Sequence, residues 1–179
     1  FYSRRNKLLA QVFPKWTNWV PLLLIFGGVS HIVGIIFVVW YWLSPSHLNV
    51  GYQPEQPVPF SHKLHAGELG LDCRYCHSAI EEGAHANIPS TQTCMNCHSQ
   101  VKTESPKLAM VRESFSENKP IPWVYIHKLP DYAYFNHSVH LAAGVGCFSC
   151  HGRIDQMEVV AQEKPLSMGW CLDCHREPE

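Results

Sequence analysis

The chain lacks any excess of charge: 14 Lys and Arg stand against 15 Asp and Glu in 179 residues. Nothing in that balance draws it to a polyanion, so charge argues against a nucleic-acid partner. Charged residues are sparse altogether, at 16%, and from Val20 to Leu43 there is none. Eleven of the thirteen prolines lie within 44–179. Such a proline load leaves room for few long helices or central strands there. Also missing is any cysteine outside one repeated motif, which leaves no framework of scattered disulfides.

The uncharged run of 24 residues spans about 36 Å as a helix, enough for a bilayer core. We therefore expect a cytoplasmic N-terminal segment over 1–19, a transmembrane helix over 20–43, a Pro-rich extended linker over 44–59 and a Cys- and His-rich domain over 60–179. Arg4, Arg5, Lys7 and Lys15 precede the run, and no Lys or Arg follows it until Lys63. The positive-inside rule then places the N-terminus in the cytoplasm and the domain on the periplasmic side of the inner membrane. Trp16, Trp19, Trp40, Tyr41 and Trp42 supply the expected aromatic belts. The Arg4-Arg5 pair also fits a twin-arginine export signal, but ordinary anchor residues explain it more simply. Gly27, Ser30, His31 and Gly34 fall on one helical face, where small residues admit a second membrane helix.

All eight cysteines fall into four copies of Cys-x-x-Cys-His: Cys73, Cys76 and His77; Cys94, Cys97 and His98; Cys147, Cys150 and His151; Cys171, Cys174 and His175. Two thiols at this spacing add across the vinyl groups of one porphyrin, and the adjoining imidazole ligates its iron. Zinc ribbons and disulfides also use paired cysteines, but neither needs a His after every pair. With 12 histidines in the chain, four such placements have a chance probability of roughly 10⁻⁵. The motifs therefore predict four covalent haem c groups, with macrocycles supplying the buried apolar surface that a Pro-broken chain cannot.

Four further histidines form two like-built pairs. Phe60-Ser-His62-Lys-Leu-His65 precedes Cys73, and Phe135-Asn-His137-Ser-Val-His140 precedes Cys147. Each pair is followed by a second motif, so the chain carries an internal duplication, about 60–98 and 135–175. Imidazoles three residues apart on a helical turn project side by side and reach two neighbouring irons. His62, His65, His137 and His140 are thus the expected distal ligands. Four distal and four proximal histidines leave no open iron position, and this favours electron transfer over catalysis. No catalytic residue is expected. His127 is a candidate additional ligand, whereas His47 and His85 read as exposed loop residues and Met95, Met110, Met157 and Met168 as packing against porphyrin. Between the halves, Leu108, Val111 and Phe115 fall at helical spacing within 104–115, followed by an extended run from Pro120 to Ile126. The expected fold class is a mostly irregular, α-containing multihaem cytochrome c with little β structure and one N-terminal transmembrane helix.

Several segments go beyond the haem motifs: Gln56 to His62 with His65, Cys73 to His77, Ile88-Pro89 before Cys94 to His98, His127-Lys-Leu-Pro-Asp131 to His140, and Met168-Gly-Trp-Cys171 to Arg176. In these the chain resembles the multihaem cytochrome c subunit, the A subunit, of bacterial alternative complex III. The resemblance implies a quinol-oxidising complex, respiratory or photosynthetic. Its implied partners are an iron–sulfur subunit, polytopic quinol-binding subunits, a monohaem cytochrome c and a periplasmic electron acceptor. That subunit usually carries five haems, which leaves two readings open: a fifth motif beyond Glu179 with His127 as its distal ligand, or a four-haem relative. The alternative function is a stand-alone, membrane-anchored tetrahaem quinol dehydrogenase that feeds periplasmic reductases.

Overall fold

The apolar run and the Cys- and His-rich remainder become separate units. The computed structural model describes residues 12–177 and divides into two compact units after Ser44. Arg4, Arg5 and Lys7, on which the expected orientation partly rests, lie outside the described residues.

In the first unit a 3-10 turn, Lys15–Trp19, leads into α1, Val20–Trp42. Pro21 falls in the opening turn of α1, where its missing N–H leaves no intrahelical bond unmade. No residue of α1 is buried, and Leu23, Phe26, Ile32 and Trp40 all stand exposed. A helix apolar on every face needs lipid or protein around it. Lys15–Trp42 is, by length and composition, long and apolar enough to cross a membrane once.

The second unit contains no strand among the described residues. Its helices are short: α2 (Pro45–Leu48), α3 (Cys73–Cys76), α4 (Thr91–His98), α5 (Ala109–Glu117), α6 (His137–Ala142), α7 (Cys147–His151) and α8 (Met168–Arg176). A six-residue π-helical turn covers Lys63–Glu68. Local chemistry starts several of these elements. The Asp72 carboxylate accepts from Arg74 N–H at α3, Asn136 accepts from Ser138 N–H at α6, and the Ser167 hydroxyl accepts from Trp170 N–H at α8. Each cap satisfies a backbone donor that the helix itself cannot.

Four of the haem motifs' helices, α3, α4, α7 and α8, begin at or before the first cysteine of a motif. Helical winding thereby brings the two thiols of each motif, three residues apart, onto one side. The expected helix over 104–115 begins later, as a 3-10 turn at Pro106–Leu108 followed by α5, because Pro106 removes an N–H at the start. Val111 of α5, Ile121 of the extended run and Val58 form a small buried cluster, with Cys94, Met95, Leu108 and Trp123 packed against it. The segment between the halves thus wraps the second haem motif.

The Pro-rich stretch differs from a free-standing spacer. It opens with the helical turn α2 and then pairs with the far end of the unit. Gly51 N–H donates to Gln162 O at 2.8 Å and Gln162 N–H to Tyr52 O at 3.0 Å. Gln53 Nε2 donates to Val159 O at 2.7 Å, and Gln56 exchanges two bonds with Val124. Glutamines between the prolines supply donors and acceptors that the proline-broken backbone lacks.

Candidate haem-binding sites

The duplication is repeated in three dimensions. Phe60 meets His62 edge-on at 4.8 Å and stacks on His65 at 4.4 Å, while Phe135 meets His137 edge-on at 4.7 Å and lies against His140 at 4.4 Å. Each phenylalanine braces both imidazoles of its pair.

Hydrogen bonds then fix which ring nitrogen is free. His65 Nδ1 lies 2.8 Å from Ser61 O, and His140 Nδ1 lies 2.8 Å from Asn136 O, the same relation in the two halves. His137 Nδ1 is 2.7 Å from Ala84 O, His77 Nδ1 is 2.6 Å from Asn87 O, and His98 Nδ1 is 3.0 Å from Val101 O. A carbonyl only accepts, so each Nδ1 carries the proton and each Nε2 keeps its lone pair. Asn87 holds its carbonyl in place from a left-handed backbone, φ 67°, a conformation that costs energy and clusters at functional sites.

Three pairs of histidines lie at similar ring separations. His65 faces His98 with centroids 6.1 Å apart, His137 faces His151 at 6.3 Å, and His140 faces His175 at 5.9 Å. Two imidazoles bonded trans to one metal at about 2.0 Å hold their ring centres ~6 Å apart. Rings at this spacing could hold one iron between them. His62 has no ring partner at such a distance among these pairs; its electrostatic neighbours are His77, then His65 and His127.

The surroundings suit the group as well. An open cleft is lined by Phe135, His137, Cys147, Cys150 and His151, with Ile80 from the first half. Both thiols of one motif and the two facing imidazoles thus share one apolar cleft. Among the described residues no three His, Cys, Asp or Glu side chains converge as a metal cage. Burial, then the neighbouring histidines His77, His65 and His127, hold His62 down to about 4. Burial, then His127, His137 and His77, do the same to His151, also to about 4. Both imidazoles are accordingly neutral, the form that binds metal.

The thiols are raised by burial first and by one another second: Cys73 by Cys147, Cys94 by Cys76, and Cys150 by Cys174, Cys171 and Cys147. Motifs are therefore close neighbours across the repeat as well as within it.

His127 is brought into the site in a way the sequence does not reveal. Its Nε2 lies 3.2 Å from His151 Nδ1, and burial lowers its basicity. It is held there by Gln162, which is 1% exposed: Gln162 Oε1 accepts from Lys128 N–H at 3.1 Å, and its Nε2 donates to Lys164 O at 2.9 Å. A glutamine in a polar stretch carries no signal of such a role. His85 is exposed and outside these clusters. His31 lies in the separate anchor unit.

Four thiol pairs, each beside a histidine, and locked imidazoles facing one another define a multihaem cytochrome c carrying covalently bound haem c, an electron-transfer protein. Comparison with known proteins agrees. Residues 58–118 match the family of cytochrome c7 and related cytochrome c. The multiheme cytochrome c subunit of menaquinone reductase from Nitratidesulfovibrio vulgaris (strain Hildenborough) is 37% identical over 128 residues, 70% of this chain and 59% of that protein. The chain thus spans rather more than half the length of this relative.

Proposed function

We propose that the chain is the electron-transfer subunit of a membrane quinol-oxidising complex of the alternative complex III kind, with its haem domain on the periplasmic side. The observation that carries this reading is the set of facing histidines about 6 Å apart. His77, His98, His151 and His175 serve as proximal ligands and His62, His65, His137 and His140 as distal ones, in the pairs 62–77, 65–98, 137–151 and 140–175. Haem so held supplies a one-electron couple with both axial positions filled. No position is left for a substrate, so quinol chemistry falls to partner subunits. These are an iron–sulfur subunit, polytopic quinol-binding subunits and a monohaem cytochrome, with a periplasmic carrier or oxidase as acceptor. The exposed apolar helix α1 keeps the domain at the membrane where such subunits lie.

A second reading is favoured by the relative from menaquinone reductase: the same wiring run in the opposite direction, with electrons entering from a periplasmic donor and leaving to menaquinone. A haem-stained native gel of mild-detergent membrane extract, with mass spectrometry of the band, tests the assembly. A large band containing iron–sulfur and polytopic subunits is expected. A band of this chain alone, or with one soluble reductase, supports the stand-alone quinol dehydrogenase instead. Haem reduction by added quinol in the purified band supports the quinol-oxidising direction, and oxidation of pre-reduced haem by menaquinone supports the reverse.

A further inference from the structure

Chain order and spatial order of the four motifs are different things, and hydrogen bonds between the halves separate them. We infer that the four haem sites stand in a row in the order Cys94, Cys73, Cys147, Cys171, so that the chain's second and fourth motifs form the ends. This inference rests on the ligand pairs proposed above.

Within each half the adjacency follows from the histidine pairs. His62 caps and His65 lies within a single turn: His65 lies 6.1 Å from His98 of the second motif, and His62, assigned above to the first motif, has that motif's His77 as its leading electrostatic neighbour. His137 and His140 share one turn of α6 and lie 6.3 and 5.9 Å from His151 of the third motif and His175 of the fourth. The first and second motifs also touch directly, where Asn96 Nδ2 donates to Tyr75 Oη at 3.1 Å.

Between the halves the contacts are reciprocal. The start of α6 is tied to the loop that follows the first motif: His137 N–H and Nδ1 both bond to Ala84 O, at 3.3 and 2.7 Å, and Ser138 N–H donates to Gly83 O at 3.2 Å. In exchange, the turn bearing His65 is tied to the segment that follows the third motif, with Lys63 N–H donating to Met157 O at 3.0 Å. Gly67 lies so close to Asp155 O that a Cβ there would collide with it. Each half thus lays the N-terminal end of its histidine turn, where His62 and His137 sit, against the other half's first motif. The sites of Cys73 and Cys147 are thereby brought together at the junction. Thiol neighbours agree, since Cys73 is paired with Cys147 and Cys150 with Cys171 and Cys174.

The residues between the halves reinforce this arrangement. The cluster of Val58, Val111 and Ile121 packs on Cys94 and Met95, so the second motif is covered by residues between the halves. An outside donor and acceptor therefore meet the row at the sites of Cys94 and Cys171, and the junction sites of Cys73 and Cys147 lie between them.

The test is to locate the irons in the haem-loaded full chain within its membrane complex, by electron cryomicroscopy or by anomalous scattering at the iron edge. The expected result is that the Cys73-site iron has the Cys94-site and Cys147-site irons as its two nearest neighbours. A Cys94-site iron nearer to the Cys147-site iron than the Cys73-site iron is would overturn the order. An iron bonded to only one histidine of its assigned pair would instead overturn the ligand reading beneath it.

Discussion

A histidine binds iron through one nitrogen and is tuned through the other. In five of the eight assigned ligands Nδ1 meets a main-chain carbonyl, but His151 meets the imidazole of His127. For His151 to offer Nε2 to iron its Nδ1 must hold the proton, so His127 accepts through Nε2. That is the nitrogen a ligand would need, and this geometry therefore favours His127 as a hydrogen-bond partner of His151. An imidazole nitrogen is a stronger base than an amide oxygen, which makes His151 more electron-rich and favours ferric iron. His127→Leu should raise the midpoint potential of the Cys147-site haem by on the order of tenfold in the reduced-to-oxidised ratio, ~59 mV for one electron. His127→Gln, with a carbonyl acceptor, should recover part of it. Potentiometric titration of the purified holoprotein reads both, and a loss of one low-spin haem in His127→Leu would show that His127 is a ligand after all. Ring orientation gives a second expectation: His137 and His151 lie within 6° of parallel, while His140 and His175 are 79° apart. Near-perpendicular ligand planes give a more anisotropic ferric signal, so paramagnetic resonance should distinguish these two haems, and four identical signals would contradict the geometry. At this scale the four thiol pairs and the histidine that follows each were legible because their motif is contiguous. The carbonyls of Ala84, Asn87 and Val101 were not, since every residue carries one and only the fold selects among them.

Turns and short helices are where the duplication does its positioning. Gly67 in the turn Lys63–Glu68 passes against the backbone of Asp155, and neither backbone can yield without moving a histidine. Gly67→Ala should therefore cost about 1–3 kcal/mol in denaturant unfolding of the holoprotein. Gly169→Ala, at the start of α8 with nothing nearer than Ser167 Oγ at 4.0 Å, should be neutral or slightly stabilising, as alanine prefers helix. Equal effects would contradict the close approach. Asn136→Ala removes the cap of α6 and should cost ~1 kcal/mol. The cap of α3 has a pH signature: hydrogen bonds from Arg74 hold the Asp72 carboxyl down to about 2. A lowered acid favours the folded state above its unfolded value and loses that support only as pH falls through the folded one. The Asp72 contribution should thus persist through mildly acidic pH and fade toward pH 2. From sequence, Phe60 and Phe135 were readable as the repeated residues that open each histidine pair, whereas the Asn136 cap emerged only in the structure. The packing of the 44–59 stretch on residues 159–164 was not, because its prolines announce stiffness while its glutamines choose the partner.

Across the whole domain the apolar core is too small to fold it. Among the described residues only Val58, Val111, Ile121, Val160 and Leu166 are buried apolar side chains, and short helices without tertiary burial are marginal in water. Covalent haem must supply the missing surface, as metals do in other small domains. Chain produced without haem attachment should therefore show no cooperative thermal transition by circular dichroism, and a sharp one would contradict this. That dependence was legible in composition, as were the membrane run and the two halves. The row order was not, because it arises from reciprocal hydrogen bonds between segments far apart in sequence. Everything above stands on four irons each held between two histidines. The most direct test is spin quantification of the oxidised, purified holoprotein by paramagnetic resonance against its iron content. The account predicts four low-spin ferric haems per chain carrying these four motifs and no high-spin signal at their sites. A five-coordinate, high-spin haem attached at any of the four motifs would contradict it and return a substrate position to the protein.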